Sequence, residues 1–198
     1  MRKPVEGGKG YTYADYLTWN DGKRWEIIDG VAYEKNEGVY SFVSDMSPAP
    51  GRYHQAIVSN LIREIGIYLK GKEGRVFPAP FDVTLTESGI VNIVQPDLSI
   101  FLNNENLDER GATGAPDWVI EILSPYTSSK DLGTKKLLYQ KFKVREYWIV
   151  DPVKKVVSVF ILNKENSYDH GNVFSQRDKV NSNTFPDLEI NFSEIFAD

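Results

Sequence analysis

The chain has 198 residues, a formal net charge of −5, 41% hydrophobic residues and no cysteine. This length and composition predict one globular domain whose core needs neither disulfides nor a structural metal. Without cysteine, thiolate zinc sites and cysteine nucleophiles are excluded, and the two histidines are too few for a histidine-rich zinc centre. The net charge argues against tight non-specific binding to a polyanion. We find neither a signal peptide nor a transmembrane stretch, so we expect a soluble, cytoplasmic protein without membrane contacts.

The N-terminal part predicts a short helix followed by a hairpin. Thr12 and Asp15 have the spacing of a capping box, which places a helix start at Thr12. Asp29-Gly30 between two apolar runs is typical of a β-hairpin turn. We expect residues 1–50 to form an extension, in which 36–45 prolong the hairpin or loop out. This extension would pack on a core of residues 51–198.

The remaining residues predict an α/β (α+β) fold, with a central mixed sheet flanked by helices. Apolar residues at helical spacing indicate helices over about 54–70 and about 131–143, the second after a loop at 124–129. The predicted strands are a strand pair or one bent strand over 76–85, then 90–93, 97–102, 119–123, 146–150, 156–162 and 173–174. Segment 119–123 is almost continuously apolar, which is typical of a central strand covered on both faces.

Two acidic residues interrupt segments that otherwise predict buried strands. They are Asp97, after Pro96, and Glu121, in Trp118-Val119-Ile120-Glu121-Ile122-Leu123. A buried carboxylate is costly unless it is paired, protonated or bound to a metal. Lys135 follows on the apolar face of the second helix, one turn before Tyr139, which we expect to hold it by contact or hydrogen bond.

These residue types suit the hydrolysis of a phosphodiester. Asp97 and Glu121, on strands expected to be adjacent, would supply oxygen ligands to Mg²⁺ or Mn²⁺. Lys135 would stabilise negative charge at the phosphate or orient the attacking water. Each residue also has a structural interpretation: Asp97 as a cap at a strand start, Glu121 in a buried salt bridge with Lys135 or an arginine, and Lys135 as a snorkelling edge residue.

Several motifs together resemble the PD-(D/E)XK nuclease superfamily and, more narrowly, the bacterial Uma-two family of restriction-endonuclease-like proteins. They are Pro96-Asp97, Glu121-Ile122-Leu123-Ser124-Pro125, Asp131-Leu132-Gly133-Thr134-Lys135 and Glu146-Tyr147-Trp148-Ile149-Val150-Asp151-Pro152. The resemblance covers the chain from about Tyr11 to its end. It implies a restriction-endonuclease-like core, a magnesium-type site and DNA as the substrate.

The same resemblance implies roles for individual residues. Asp97 matches the Asp of the first half-motif and Glu121 the acid of the second. The usual lysine two residues later is replaced by Leu123, and Lys135 matches the lysine that has moved to the following helix.

Three further residues are auxiliary candidates. Glu26 matches a typical position of the family and is either a further metal ligand or an exposed hairpin charge. We expect His54 and Asp82 near the site. The alternatives are that His54 is only a helix-start residue and that Asp82 only anchors a bulge.

The sequence therefore predicts a metal-dependent DNA endonuclease that uses Asp97, Glu121 and Lys135. The main alternative is a non-enzymatic nucleic-acid-binding or assembly module on the same fold, which the net charge and the displaced lysine would suit. A metal-binding hydrolase of another phosphoester is the third possibility. A homodimer is expected because cutting both strands of a duplex generally needs two sites.

Overall fold

The computed structural model describes residues 3–35, 51–123 and 131–197, and the predictions for 36–45 and 124–129 lie outside these ranges. The helices are α1 Tyr13–Tyr16, α2 Arg52–Leu69, α3 Lys136–Lys141 and α4 Phe192–Ile195, with a π-helical turn at Asp131–Lys135 directly before α3. Within these ranges, no helix combines the length and apolar character needed to cross a membrane.

The strands form two mixed sheets and a two-stranded ribbon. They are β1 Trp25–Ile28, β2 Val31–Glu34, β3 Arg75–Pro78, β4 Asp82–Glu87, β5 Ile90–Val94, β6 Leu98–Phe101, β7 Gly111–Ala112, β8 Trp118–Ile122, β9 Glu146–Asp151, β10 Val156–Ile161, β11 Asn172–Ser175, β12 Lys179–Asn181 and β13 Glu189–Asn191. One sheet has the order β2-β1-β5-β4-β7, the other β11-β10-β9-β8-β6-β3, and the ribbon pairs β12 with β13. Only β4–β7 and β8–β9 are parallel among the described pairs.

The predicted α+β class with a central mixed sheet is confirmed, but the chain builds a second sheet that the sequence did not predict. The interpretation of segment 76–85 as a strand pair or one bent strand is wrong. Strand β3 pairs with β6 in the six-stranded sheet, whereas β4 pairs with β5 in the five-stranded sheet.

The central strands of the six-stranded sheet, β6, β8 and β9, are buried on both faces. On one face, the apolar stripe of α2 packs against alternate residues of β6, β8 and β9, including Trp118 and Trp148. On the other face, Val119 and Ile149 pack with the five-stranded sheet and with Leu138 of α3. Every residue of β8 is buried, as its continuous apolar sequence predicts.

The N-terminal elements form as predicted. The Thr12 hydroxyl accepts the N–H of Asp15, and the Asp15 carboxylate accepts the N–H of Thr12, which completes the capping box. Asp29 and Gly30 have φ values of 49° and 72°, the backbone of a two-residue hairpin turn. The hairpin joins the five-stranded sheet through β1 and β5.

Candidate active site

Asp97 lies where the chain passes from the five-stranded sheet to the six-stranded sheet, between β5 and β6. Strands β6 and β8 are antiparallel, with Leu98 opposite Ile120. One further step in this register brings Asp97 opposite Glu121. The N–H of Ile122 donates a 2.8 Å hydrogen bond to Asp97 Oδ2, so this carboxylate also ties the two strands together. Strands β6 and β8 are adjacent, as predicted, but β6 begins at Leu98, so Asp97 directly precedes its strand whereas Glu121 lies within β8.

Lys135 bridges two buried carboxylates. Its Nζ lies 2.9 Å from Glu121 Oε1 and 3.0 Å from Glu26 Oε1, and all three side chains are at most 3% exposed. Tyr139 donates a 2.7 Å hydrogen bond from its hydroxyl to the same Glu121 Oε1. Lys135 therefore points inward, as predicted. The Tyr139 hydroxyl is hydrogen-bonded to Glu121, the same carboxylate that Lys135 contacts.

The crossover between the parallel strands β8 and β9 positions Lys135. Two parallel neighbouring strands need a crossover connection. Within the described residues, the π-turn and α3 form this crossover. A single helix over about 131–143 was predicted, whereas the structure has five π-helical residues ending at Lys135 and an α-helix ending at Lys141. Single π-helical turns are frequent at functional sites, and this one ends on the candidate lysine.

Asp97 has basic partners of its own, a lysine and a histidine. Lys35 Nζ lies 3.4 Å from Asp97 Oδ1 and also donates to the carbonyl oxygen of Gln95. His54 Nε2, in the first turn of α2, lies 3.2 Å from Asp97 Oδ2. The N–H of Gln95 donates a 2.9 Å hydrogen bond to Glu26 Oε1, so the backbone of Gln95 connects the two halves of the cluster.

Asp82 lies beside this cluster. Its Oδ1 accepts hydrogen bonds from the Gln95 side-chain amide and from the hydroxyl of Tyr16, both at 2.8 Å. Burial and the Asp82 charge raise the pKa of Tyr16, so the hydroxyl remains a donor. Asp82 is therefore connected to the acids through Gln95.

The buried acids are held in their ionised forms. Burial opposes ionisation of Glu26, but the ammonium groups of Lys135 and Lys35 outweigh it and lower the pKa of this carboxyl. Burial likewise opposes ionisation of Asp97, and the Lys35 charge and the His54 hydrogen bond hold its pKa well below the usual range. Burial and the charge of Glu121 raise the pKa of Tyr139, which keeps its hydroxyl protonated.

A family model supports what the motifs indicate. The model, named Uma2 and described as "Putative restriction endonuclease", matches residues 13–193. The chain belongs to the Uma2 family. The resemblance found in the motifs is thereby confirmed, and family membership supports a nuclease-like function.

One solved structure shares the fold of this Uma2 chain. It is described as a putative nuclease belonging to DUF820 from Anabaena variabilis ATCC 29413 and superposes with a TM-score of 0.70. The sequences are 23% identical, and the match covers 94% of this chain and 98% of that one. At this identity the likeness establishes the fold alone. No curated protein matches the chain.

The donor chemistry of the Uma2 site fits a hard divalent cation. Glu26, Asp97 and Glu121 offer carboxylate oxygens, the ligands that Mg²⁺ prefers. These three acids face the ammonium groups of Lys35 and Lys135.

The present arrangement of the same acids nevertheless differs from a metal site. Across residues 3–35, 51–123 and 131–197, no three Asp, Glu, His or Cys side chains form a group that could hold a metal ion. Asp97 and Glu121 each contact a lysine instead. A metal bound at these two acids would share their carboxylates with two lysines or replace those contacts.

Lys35, Gln95 and Arg24 belong to the site, although sequence reasoning did not select them. Arg24 Nε donates a 2.9 Å hydrogen bond to the Gln95 side chain. Residues directly opposite each other in a hairpin share a face. The two-residue turn therefore places Lys35, opposite Arg24, on the same face as Glu26. This register was the available signal for Lys35.

Proposed function

We propose that this protein is a metal-dependent DNA endonuclease that hydrolyses phosphodiester bonds. The proposal depends above all on one observation. Asp97, directly before β6, and Glu121, in the adjacent strand β8, are both buried, and the Lys135 ammonium lies 2.9 Å from the Glu121 carboxylate. Membership of the Uma2 family supports it.

In this proposal, Asp97 and Glu121 hold a Mg²⁺ or Mn²⁺ ion. When bound, such an ion polarises the scissile phosphate and activates water. Lys135 supplies a positive charge beside the phosphate, where negative charge develops. Tyr139 and His54 orient the two carboxylates through their hydrogen bonds.

Glu26 is the auxiliary acid of the site. It contacts the Lys135 ammonium, as Glu121 does, and accepts a hydrogen bond from the N–H of Gln95. Asp82 fixes the Gln95 side chain and so acts on the site indirectly.

Plasmid nicking in Mg²⁺ and in Mn²⁺ tests the proposal with near-isosteric variants. We expect Asp97→Asn and Glu121→Gln to lower the nicking rate by more than about 100-fold, since losing even an outer-shell partner of a metal costs about 10–100-fold. Calorimetric titration should show that both variants bind the metal more weakly than the wild type does. An RNA substrate in parallel tests the preference for DNA.

Glu146→Gln is the matched control. Glu146 is a fully buried carboxylate at the start of β9 whose hydrogen bonds come from neutral donors: the Trp148 indole N–H, the Ser182 hydroxyl and the N–H of Thr184. This variant should keep its nicking activity. Equal losses in all three variants, or no nicking by the wild type, would contradict the proposal.

A binding module without catalysis is the second candidate, because both principal acids contact a lysine in this structure. In that case the lysines would remain in place and no metal would bind at millimolar concentration. DNA binding by the wild type without metal binding or nicking would support this second function.

Two features of the proposal concern the whole protein. We expect a homodimer, because cutting both strands generally needs two sites, and sedimentation of the protein with and without DNA measures it. The cytoplasmic location also stays a prediction, with which the absence of cysteine is consistent.

A further inference from the structure

An exposed aromatic and cationic surface lies at the same end of the sheet as the candidate active site. We define it by five residues and call it the Tyr53 patch: Arg52, Tyr53, Val153, Lys154 and Lys155. All five are exposed to solvent. Tyr53 is 59% exposed and Val153 is 89% exposed.

Two chain segments place the Tyr53 patch beside the candidate active site. Tyr53 is in the first turn of α2 and directly precedes His54, which contacts Asp97. Lys154 and Lys155 lie in the turn after β9, whose carboxyl end runs parallel to the end of β8 that carries Glu121. Tyr53 and Lys155 both line one small cavity of about 30 Å³, so the two segments meet.

The patch has the two features that bind a single nucleic-acid strand. The Arg52 guanidinium carbon lies 4.9 Å from the centre of the Tyr53 ring, so the aromatic ring is stacked with a cation. Among the described residues, Asp151 is an acid that contacts the patch, with its carboxylate 3.3 Å from Lys154 Nζ. Lys154 remains 77% exposed and can still reach a phosphate.

We propose that the Tyr53 patch binds an unpaired segment of the DNA strand, with a base stacked on Tyr53 and phosphates held by Arg52, Lys154 and Lys155. This inference rests on the proposed function and adds to it a preference for single-stranded or locally opened DNA. A base paired inside a duplex does not offer its flat face to a protein side chain, whereas an unpaired base does. The exposed ammonium groups of Lys154 and Lys155 also favour a polyanion at this patch.

Fluorescence anisotropy in EDTA measures this binding without cleavage, with a short labelled single strand and a blunt duplex as probes. Tyr53→Ala should weaken single-strand binding about tenfold, which is typical of losing one base–aromatic stack. Tyr53→Phe keeps the ring and should bind as the wild type does. Arg52→Gln should lower the slope of log K against log salt by about 0.7, the value for one phosphate contact to a single strand.

Lys72→Gln provides the matched control at the far end of α2. Lys72 Nζ lies 3.1 Å from the centre of the Tyr68 ring, so the chain repeats a cation–aromatic pair away from the site. Single-strand binding by Lys72→Gln should equal that of the wild type. Equal losses in Lys72→Gln and Arg52→Gln, or an equal loss of duplex binding in Tyr53→Ala, would overturn the proposal.

The same experiments separate this inference from the proposed function. Nicking by the wild type, together with unchanged single-strand binding by Tyr53→Ala, would overturn the role of the patch and leave the nuclease proposal standing. Tyr53-dependent binding by a wild type that neither binds metal nor nicks would support the patch and overturn the nuclease proposal. A wild type that binds no DNA at all would overturn both.

Discussion

Replacing Lys135 by methionine tests whether one ammonium group holds two buried carboxylates together. At 3.0 Å and an effective dielectric constant of about 20, each contact contributes about 5–6 kcal/mol of Coulombic attraction before desolvation is subtracted. Removing one partner of a buried ion pair generally costs about 3–5 kcal/mol, because the other charge stays buried. Since Glu26 and Glu121 both lose their partner, we expect Lys135→Met to lower the free energy of unfolding by about 3–5 kcal/mol near neutral pH.

Urea unfolding at about pH 8 and at about pH 5 measures this loss and its pH dependence. Without the ammonium, the folded variant binds protons on Glu26 and Glu121 more tightly than its unfolded chain does, because the buried carboxylates repel each other and lack water. The difference between wild type and variant should therefore shrink as the pH falls.

Lys141→Met is the control for the loss of a lysine as such. Lys141 Nζ lies 2.8 Å from Glu87, but the two side chains are 41% and 54% exposed, so solvent screens the pair and its loss should change stability little. A loss in Lys135→Met no larger than in Lys141→Met, or one that is equal at both pH values, would refute the reasoning.

Three further substitutions follow from the same geometry. Tyr139→Phe removes the hydroxyl that donates to Glu121 and should lower the free energy of unfolding by about 1.5–3 kcal/mol, measured by urea unfolding, with the packing of the ring retained. The pKa of Asp97 is depressed in the folded protein, so the wild type should lose stability as the pH falls below about 4. Asp97→Asn should lose less over the same range, and acid-induced unfolding followed by circular dichroism checks this difference. Gly111→Ala would place a Cβ 2.2 Å from the carbonyl oxygen of Asp82, so β4 and β7 should separate locally, and hydrogen exchange of their amides should speed up. Normal protection in that variant would contradict this expectation.

The main acids of the candidate site could be predicted because their signal is local. A charge inside an apolar strand stands out in the sequence, and Asp97 and Glu121 both interrupt such strands. The position of Lys135 on one helix face also follows from sequence spacing alone. Whether these groups meet depends on the order of the strands in the sheet. The prediction that the strands at Asp97 and Glu121 are neighbours was correct.

Lys35 was not predicted as a site residue. Whether its side chain lies in the site depends on which face of the hairpin lies against the six-stranded sheet. The alternation of residues along β2 does not show which face that is. The division of segment 76–85 between two sheets was missed for a similar reason. A break at Pro78–Pro80 shows that a strand ends, but it does not show which partner the next strand takes.

The amino-acid composition of residues 131–135 did not predict the π-turn before α3. This turn differs from an α-helix by the spacing of its hydrogen bonds, and its residues 131–135 are compatible with either form. The predicted helix was therefore placed correctly in the chain, while the type of its first turn was not.

The bridging contact of Lys135 has a consequence for the newly made chain. Glu26 and Lys135 are 109 residues apart, so at about 5–20 residues per second the lysine is synthesised roughly 5–20 s after its partner. During translation, the hairpin carries Glu26 and Lys35 before β8 or the crossover exists. Glu26, Glu121 and Lys135 therefore come together only after the crossover helix docks, so under the proposed function the new chain gains its nuclease activity only at that late step.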